Sequence, residues 1–145
     1  MKIYLDMCAL KRPFDDQSQG RISLETHAVV RILAALTSRV VVLCNSAALE
    51  FENGLNPNRT RKERIRILLS GLGPVRAASE ATFSRASELK VAGLKDIDAL
   101  HLAFAEILKA EYFITCDDDI LRKSSGIALR VKVANPVKFV EDSNI

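Results

Sequence analysis

The sequence predicts an α/β fold in which a parallel sheet of four to five strands lies between two layers of helices. Short apolar segments alternate with segments of helical hydrophobic spacing along the 145 residues. This alternation is typical of βαβ units, whose strands run parallel. The run Val-Val-Val-Leu-Cys at residues 40–44 shows no polar alternation, which predicts a strand covered on both faces. We expect one domain over residues 1–145, because a chain of this length builds one core.

The first third of the chain contains two predicted strands and one helix. Residues 2–5 form a short apolar strand that ends at Asp6, and residues 40–44 form the second strand. Residues 8–20 are rich in turn formers and predict a loop. Residues 21–37 carry apolar side chains at helical spacing and predict a helix.

Capping signals predict three helices in the middle of the chain. Ser46 is expected to cap a short helix over residues 47–52. The capping-box spacing from Thr60 to Glu63 predicts a second helix that reaches about Ser70. Ser79 predicts a third, which reaches about Val91, after a brief strand at residues 74–78.

The segment that follows predicts a buried helix. Six of the seven residues from 99 to 105 are apolar, so this helix is apolar nearly all round, which is typical of a buried helix. We expect Asp96 to cap it, because its side chain can accept a hydrogen bond from a free backbone N–H of the first turn. Asp98 then falls within that turn and has no such explanation.

The last third predicts two more strands. Residues 112–115 form a short apolar strand, and a helical turn follows through residues 120–123. Residues 129–133 form the last strand, and Asn135-Pro136 begins a terminal turn or helix.

Composition places the chain among ordinary globular proteins. It is 48% hydrophobic and 27% charged, with a net charge of +3, so charge alone argues weakly for a nucleic-acid partner. No apolar run is long enough to span a bilayer, and Asp6 follows Met1 too closely for a signal peptide. The three cysteines lack metal-ligand or redox spacing. We therefore expect reduced thiols, a cytoplasmic protein and no membrane contact.

Four acids are expected at one edge of the sheet: Asp6, Glu52, Asp98 and Asp117. In parallel α/β sheets the functional cleft lies beyond the carboxyl ends of the strands. Clustered carboxylates repel one another, and a divalent cation removes that conflict. Oxygen-only ligands select Mg²⁺ or Mn²⁺, and such a centre suits phosphodiester hydrolysis.

The identity of these acids stays open at several positions. Glu50 is an alternative to Glu52, and Asp96 lies beside Asp98. Asp118 and Asp119 are alternatives to Asp117, although an acid after a strand is most often a turn or cap residue. We expect one of Asp118 and Asp119 to cap the next helix.

Four segments resemble the PIN-domain ribonucleases, in particular the VapC-type toxins of type II toxin–antitoxin systems, and the resemblance covers nearly the whole chain. They are Ile3–Asp6, Ser46–Glu52, Asp98–Ala103 and Phe113–Asp118. The resemblance implies a PIN-like three-layer α/β/α fold and an endoribonuclease that uses Mg²⁺ or Mn²⁺. It places the metal-binding, catalytic acids at Asp6, Glu52, Asp98 and Asp117, and it also implies a homodimer and a cognate antitoxin.

Other residues are expected to contact the substrate. The resemblance places Thr115 in the lining of the site, and Ser46 belongs to the second matching segment. Arg12 follows the first acid closely and is a candidate for a substrate phosphate. A basic cluster on the helix after residue 58 favours RNA contact, although charge on an exposed helix is commonly a solvated face. Its members are Arg59, Arg61, Lys62, Arg64 and Arg66.

The pattern departs from the family after the first acid. Met7-Cys8 stands where the family commonly has Thr-Asn, and the run from Asp117 to Asp119 leaves the fourth acid open by one or two positions. His101 lies on the helix face of Asp98. It is interpreted as a structural histidine bonded to a carboxylate, with a general base as the alternative.

The remaining candidate sites are weaker. His27 is expected to be structural or on the surface. Cys8 and Cys116 flank two of the acids, but without ligand spacing a soft-metal site is not favoured.

Two other functions remain open. A receiver-like signalling domain is also a parallel α/β fold with acids at strand ends. It requires an acid pair after the first strand, where this chain has Asp6 alone. A catalytically silent PIN-like domain would bind a partner but hold no metal.

Overall fold

A parallel sheet of four strands forms the centre of the protein. The computed structural model describes residues 1–145. All neighbouring strands pair in parallel, in the order β2-β1-β3-β4, which confirms the predicted fold class. The strands are β1 (Lys2–Leu5), β2 (Val42–Leu43), β3 (Tyr112–Ile114) and β4 (Lys132–Ala134).

Helices flank the sheet and carry most of the chain. A short 3₁₀ helix at Arg12–Phe14 follows the first of them. The α-helices are α1 (Met7–Lys11), α2 (Gly20–Thr37), α3 (Ala47–Gly54), α4 (Arg59–Ser70), α5 (Glu80–Val91), α6 (Asp96–Ile107), α7 (Asp118–Ser124) and α8 (Pro136–Ser143). None of these helices is both long and apolar enough to cross a membrane.

The core lies around β1, β3 and α6. These two central strands contribute buried Ile3, Tyr4 and Phe113, and α6 is buried from Ala99 to Glu106 apart from Leu100. The apolar character of α6 all round its axis thus correctly predicts its burial. Helix α5 packs along α6, and α2 packs against α8.

The strand at residues 40–44 is shorter and more exposed than predicted. Only Val42 and Leu43 pair with β1, and the side chain of Val42 is 52% exposed. The prediction of a strand covered on both faces is wrong, because β2 is an edge strand. The side chains at residues 40–43 alternate, with Val40 and Val42 exposed and Val41 and Leu43 buried.

Two other predicted strands also differ. Residues 74–78 form no strand and contribute a single bridge between Ser46 and Arg76. The last strand begins at Lys132 rather than at residue 129, where it meets β3.

The segment predicted as a loop at residues 8–20 is partly helical. Asp6 caps α1 by accepting a hydrogen bond from the backbone N–H of Met7 (2.8 Å), and Pro13 fits the first turn of the 3₁₀ helix. The prediction of a loop throughout this segment is wrong, because turn-forming residues such as Pro13 also occur in the first turn of short helices.

Several caps fall one or two residues from the predicted position. Ser46 and Ser79 cap α3 and α5 as predicted. Asn58, not Thr60, caps α4. Asp117, rather than Asp118 or Asp119, caps α7. Asp96 does not cap α6, because it already lies in the first helical turn.

Candidate metal centre

Asp6 is the most deeply buried acid at the carboxyl end of the sheet. It directly follows β1, and its side chain is held by three donors: the backbone N–H of Met7, the Thr115 hydroxyl (2.9 Å) and the Cys8 thiol (3.2 Å). These bonds fix the direction of both carboxylate oxygens. No lysine or arginine lies within ion-pair distance of Asp6, and the one basic side chain near it is His101.

Thr115 and Cys8 connect the ends of β1 and β3. The Thr115 hydroxyl donates to Asp6 and accepts a hydrogen bond from the backbone N–H of Asp117 (3.1 Å). Hydrogen bonding to Cys116, burial and the charge of Asp6 together raise the pKa of the Cys8 thiol well above its usual value. Cys8 is therefore a neutral donor to Asp6 rather than a thiolate.

Glu52 and His101 face Asp6 from two helices. Glu52 is half-buried on α3, and His101 is fully buried on α6. The Nε2 atom of His101 lies 3.5 Å from Oε1 of Glu52 and 4.0 Å from Oδ1 of Asp6. One potential ligand atom from each of the three residues lies within 4.8 Å of the other two.

The other face of His101 is held by Tyr4. The Tyr4 hydroxyl lies 2.6 Å from Nδ1 of His101 and 2.7 Å from Oγ of Ser46. Burial lowers the pKa of His101, but the nearby carboxylates of Glu52 and Asp6 outweigh this, so the pKa is raised. The histidine thus lies beside carboxylates, as the sequence analysis predicts.

Asp98 shares the electrostatic environment of the other three acids. Burial, followed by the negative charges of Asp6 and Asp117, raises the pKa of Asp98 to about 6, and Glu52 contributes further. Such coupling requires the four carboxylates to lie near one another. Of the four acids predicted at the sheet edge, Asp6 and Glu52 lie within ligand distance of His101, and Asp98 lies near enough to Asp6, Asp117 and Glu52 for their charges to act on it.

Asp117 differs from the other three in having a cap role. Its carboxylate accepts hydrogen bonds from the backbone N–H groups of Asp119 (2.8 Å) and Ile120 (3.4 Å). These bonds orient the side chain at the start of α7. Its second oxygen makes no hydrogen bond within the protein.

Three of the four alternative acids are neutralised by basic residues. Asp96 pairs with Lys90 (2.9 Å), and Asp118 pairs with Arg21 (2.7 Å). Asp119 pairs with Arg122 and Lys123. The fourth, Glu50, accepts a hydrogen bond from Asn45. By contrast, no lysine or arginine forms a salt bridge with any of Asp6, Glu52, Asp98 and Asp117.

Arg12, a predicted phosphate contact, is engaged by acids of its own. It pairs with Glu25 (2.7 Å) and Asp15 (3.1 Å), and its side chain is partly exposed. Ser46 is fully buried, and its hydroxyl bonds to Tyr4 and caps α3.

The basic cluster on α4 separates into paired and unpaired members. Arg61 pairs with Asp15 and also donates to the carbonyl of Phe14, and Arg66 pairs with Glu63. Arg59 and Arg64 are exposed on α4 and form no salt bridge within the protein.

The residues at this edge of the sheet fit a divalent cation. Four carboxylates without a lysine or arginine partner repel one another when metal-free, and this repulsion adds to burial in raising the pKa of Asp98. The buried Nε2 of His101 has no hydrogen-bond partner of its own. Carboxylate oxygens and imidazole nitrogen are common ligands of divalent cations in proteins.

Similar folds occur in two solved VapBC structures. The structure of VapBC2 from Rickettsia felis, bound to a DNA fragment from its promoter, matches with a TM-score of 0.56 and 10% identity, covering 93% of this chain and 98% of that one. The structure of VapBC-1 from nontypeable Haemophilus influenzae matches with a TM-score of 0.58 and 16% identity, covering 94% and 98%. At these identities the likeness concerns the fold.

The family assignment rests on the sequence itself. No curated protein matches this chain. The family model described as "PIN domain" matches residues 5–125, which include all four converging acids. The chain therefore belongs to the PIN domain family.

Proposed function

We propose that this protein is a Mg²⁺- or Mn²⁺-dependent endoribonuclease, with Asp6, Glu52, Asp98 and Asp117 as its catalytic acids. The observation that carries the proposal is the convergence of these carboxylates without any lysine or arginine partner. An unpaired buried charge lowers the stability of a fold. A bound cation would compensate the charge of these carboxylates and so remove that free-energy cost. PIN family membership supports nuclease chemistry at this site.

Each of the four acids would contribute differently to the centre. Asp6 is fixed by its three hydrogen bonds and would be the most rigid ligand. Burial and the neighbouring carboxylates raise the pKa of Asp98 to about 6, and its ionised form would bind the cation. Asp117 is anchored by its cap bonds, and Glu52 reaches in from α3. When bound, the cation would supply Lewis-acid activation of water and offset negative charge on the phosphoryl oxygens.

The other predicted substrate contacts have distinct roles in this proposal. Thr115 positions Asp6 through its hydroxyl, and Ser46 acts through Tyr4. Arg12 is paired with Glu25 and Asp15, and in this proposal its exposed edge would contact a substrate phosphate.

We further propose that the protein is the toxin of a type II toxin–antitoxin pair. The two similar structures are described as VapBC complexes, and the PIN fold of this chain matches theirs over nearly its full length. An antitoxin partner and a homodimer follow from this likeness as expectations. Co-purification of the chain with the product of a neighbouring small DNA-binding gene would test them.

Metal-dependent cleavage of RNA tests the nuclease proposal directly. We expect the purified protein to cut RNA with Mg²⁺ or Mn²⁺, to lose activity in EDTA and to regain it when Mn²⁺ is restored. Asp98→Asn should lower the cleavage rate by about 100-fold or more, because it removes a ligand of the cation that would offset negative charge on the reacting phosphate. Asp118→Asn is the matched control, since that exposed acid is already paired with Arg21, and its rate should stay within a factor of about three.

Two results would contradict the proposal. Cleavage that persists in EDTA would exclude a metal-dependent nuclease. Absence of measurable Mn²⁺ affinity, with normal partner binding, would instead favour a catalytically silent binding domain.

A further inference from the structure

We propose that His101 is a direct ligand of the cation, through Nε2, so that the centre is a mixed nitrogen and oxygen site rather than an all-carboxylate one. This inference rests on the proposed cation site and specifies its chemistry. It concerns a residue that the sequence analysis interprets as structural.

The first support is the position of a buried, unpartnered nitrogen. His101 is 0% exposed, and its Nε2 makes no hydrogen bond of acceptable geometry. Buried polar atoms in folded proteins are nearly always satisfied, so an unsatisfied one requires an explanation. Nε2 points towards the carboxylates of Asp6 and Glu52, which are also potential ligands.

The second support is the spacing of the donor atoms. Two donors that bind one cation at about 2.1 Å each lie at most about 4.2 Å apart. The separations from Nε2 of His101 are 3.5 Å to Glu52 and 4.0 Å to Asp6. One ion can therefore contact Nε2 together with either carboxylate.

The third support is the way the ring is held from behind. A metal-bound histidine usually donates its other ring N–H to a fixed partner, which sets the tautomer. Here Nδ1 lies 2.6 Å from the Tyr4 hydroxyl, which in turn lies 2.7 Å from Ser46. If Nδ1 donates to Tyr4 and Tyr4 donates to Ser46, Nε2 presents its lone pair to the acids.

The same chain of hydrogen bonds can run in the opposite direction. If Ser46 donates to Tyr4 and Tyr4 donates to Nδ1, Nε2 carries the proton and faces Glu52 as a donor. That arrangement corresponds to the purely structural histidine. The two arrangements differ in whether a bound cation contacts nitrogen.

Pulsed electron paramagnetic resonance of the Mn²⁺-loaded full chain distinguishes the two arrangements. A directly bound imidazole gives ¹⁴N modulation of the Mn²⁺ spin echo, whereas an all-oxygen site gives none. The chain contains only two histidines, and His27 is exposed on α2. We expect nitrogen modulation in the wild-type protein and in His27→Gln, and none in His101→Gln.

Mn²⁺ titrations give a second readout that does not depend on catalysis. The electron paramagnetic resonance signal of free Mn²⁺ reports how much of the ion is bound. We expect His101→Gln to weaken Mn²⁺ binding by at least about tenfold. Tyr4→Phe keeps the imidazole but removes the partner of Nδ1, so it should retain the modulation and bind Mn²⁺ about tenfold more weakly. Unchanged affinity in Tyr4→Phe would contradict the assigned tautomer.

The wild-type spectrum decides the proposal even if a variant fails to fold. Mn²⁺ bound without nitrogen modulation would overturn the role of His101 and leave the proposed nuclease intact with oxygen ligands. Nitrogen modulation that persists in His101→Gln would also overturn it. Conversely, a nitrogen-bound Mn²⁺ in a protein that cuts no RNA would uphold the role of His101 and contradict the nuclease.

Discussion

Buried acids occur in this protein in two contrasting settings. Glu106 lies on α6 and is held by Arg85 through two hydrogen bonds (2.6 and 3.1 Å) and by the backbone N–H of Arg130. Glu25 on α2 is similarly paired with two arginines. Asp6 is equally buried, but only neutral donors and His101 surround it.

The contrast separates charges that maintain the fold from charges available for function. Helix α6 carries both kinds, with Glu106 near its end and Asp98 in its first turn. Asp96, two residues from Asp98, lies on the surface and is paired with Lys90. The absence of basic partners is therefore local to the carboxyl edge of the sheet, which is the property expected of a cation site.

The largest expected effect on stability comes from breaking a paired buried acid. Glu106→Gln should lower the free energy of unfolding by roughly 2–4 kcal/mol, because it removes the buried negative charge that pairs with the Arg85 guanidinium and leaves that positive charge without its partner. Urea denaturation at pH 7 measures this through the transition midpoint.

Glu52→Gln is the matched comparison for that measurement. Glu52 is half-buried and has no arginine or lysine partner, so its unfolding free energy should change by less than about 0.5 kcal/mol in the absence of metal. Equal losses in the two variants would remove the distinction between the two settings.

The next effect has the opposite sign. Asp98→Asn should raise the unfolding free energy of the metal-free protein at pH 8, because the native pKa of about 6 lies above the usual value of 3.8. Between these values the folded wild-type chain binds more protons than the unfolded chain, so its stability falls as pH rises. After allowance for solvent screening, we expect a gain of about 1–2 kcal/mol.

The pH dependence supplies the control for this prediction. Near pH 4 the wild-type carboxyl is protonated in the folded state and about half protonated in the unfolded state, so most of the stability difference should have disappeared. Thermal melts in EDTA from pH 4 to pH 8 measure the difference. A variant less stable than wild type at pH 8 would mean that Asp98 makes a stabilising contact instead.

The sequence could locate the acids but not the surroundings that distinguish them. Asp6 and Asp117 follow strands, and parallel strands bring their carboxyl ends to one edge, so local pattern and topology suffice to bring them together. The orientation of His101 depends on Tyr4, which is 97 residues away in the chain. No spacing rule reports such a contact.

The errors in the fold have a similar origin. Whether Val42 faces the core or solvent depends on β1 lying between β2 and β3, and strand order is a property of the whole chain. The pairing of Asp118 with Arg21 likewise joins α7 to α2. The local sequence shows that Val42 is apolar and that Asp118 is charged. Their burial and pairing depend on residues that are distant in the chain.

The smallest effect tests the same distinction on the surface of α4. If the arginines of α4 that form no salt bridge are the ones that bind RNA, Arg64→Ala should weaken RNA binding more than Arg66→Ala. The reason is that Arg66 is already paired with Glu63 (2.6 Å). We expect a change of only a few-fold for Arg64→Ala, together with a salt dependence of log affinity reduced by about one unit of slope.

Binding of a non-cleavable RNA to the Asp98→Asn protein, measured from 50 to 200 mM salt, provides the comparison. Arg59→Ala should behave like Arg64→Ala, since both side chains are exposed and form no salt bridge. If Arg66→Ala instead gave the larger loss, RNA would have to displace Glu63 from its arginine, and the paired state of a surface charge would not predict its function. Equal and negligible losses in all three variants would place the RNA path away from the exposed face of α4.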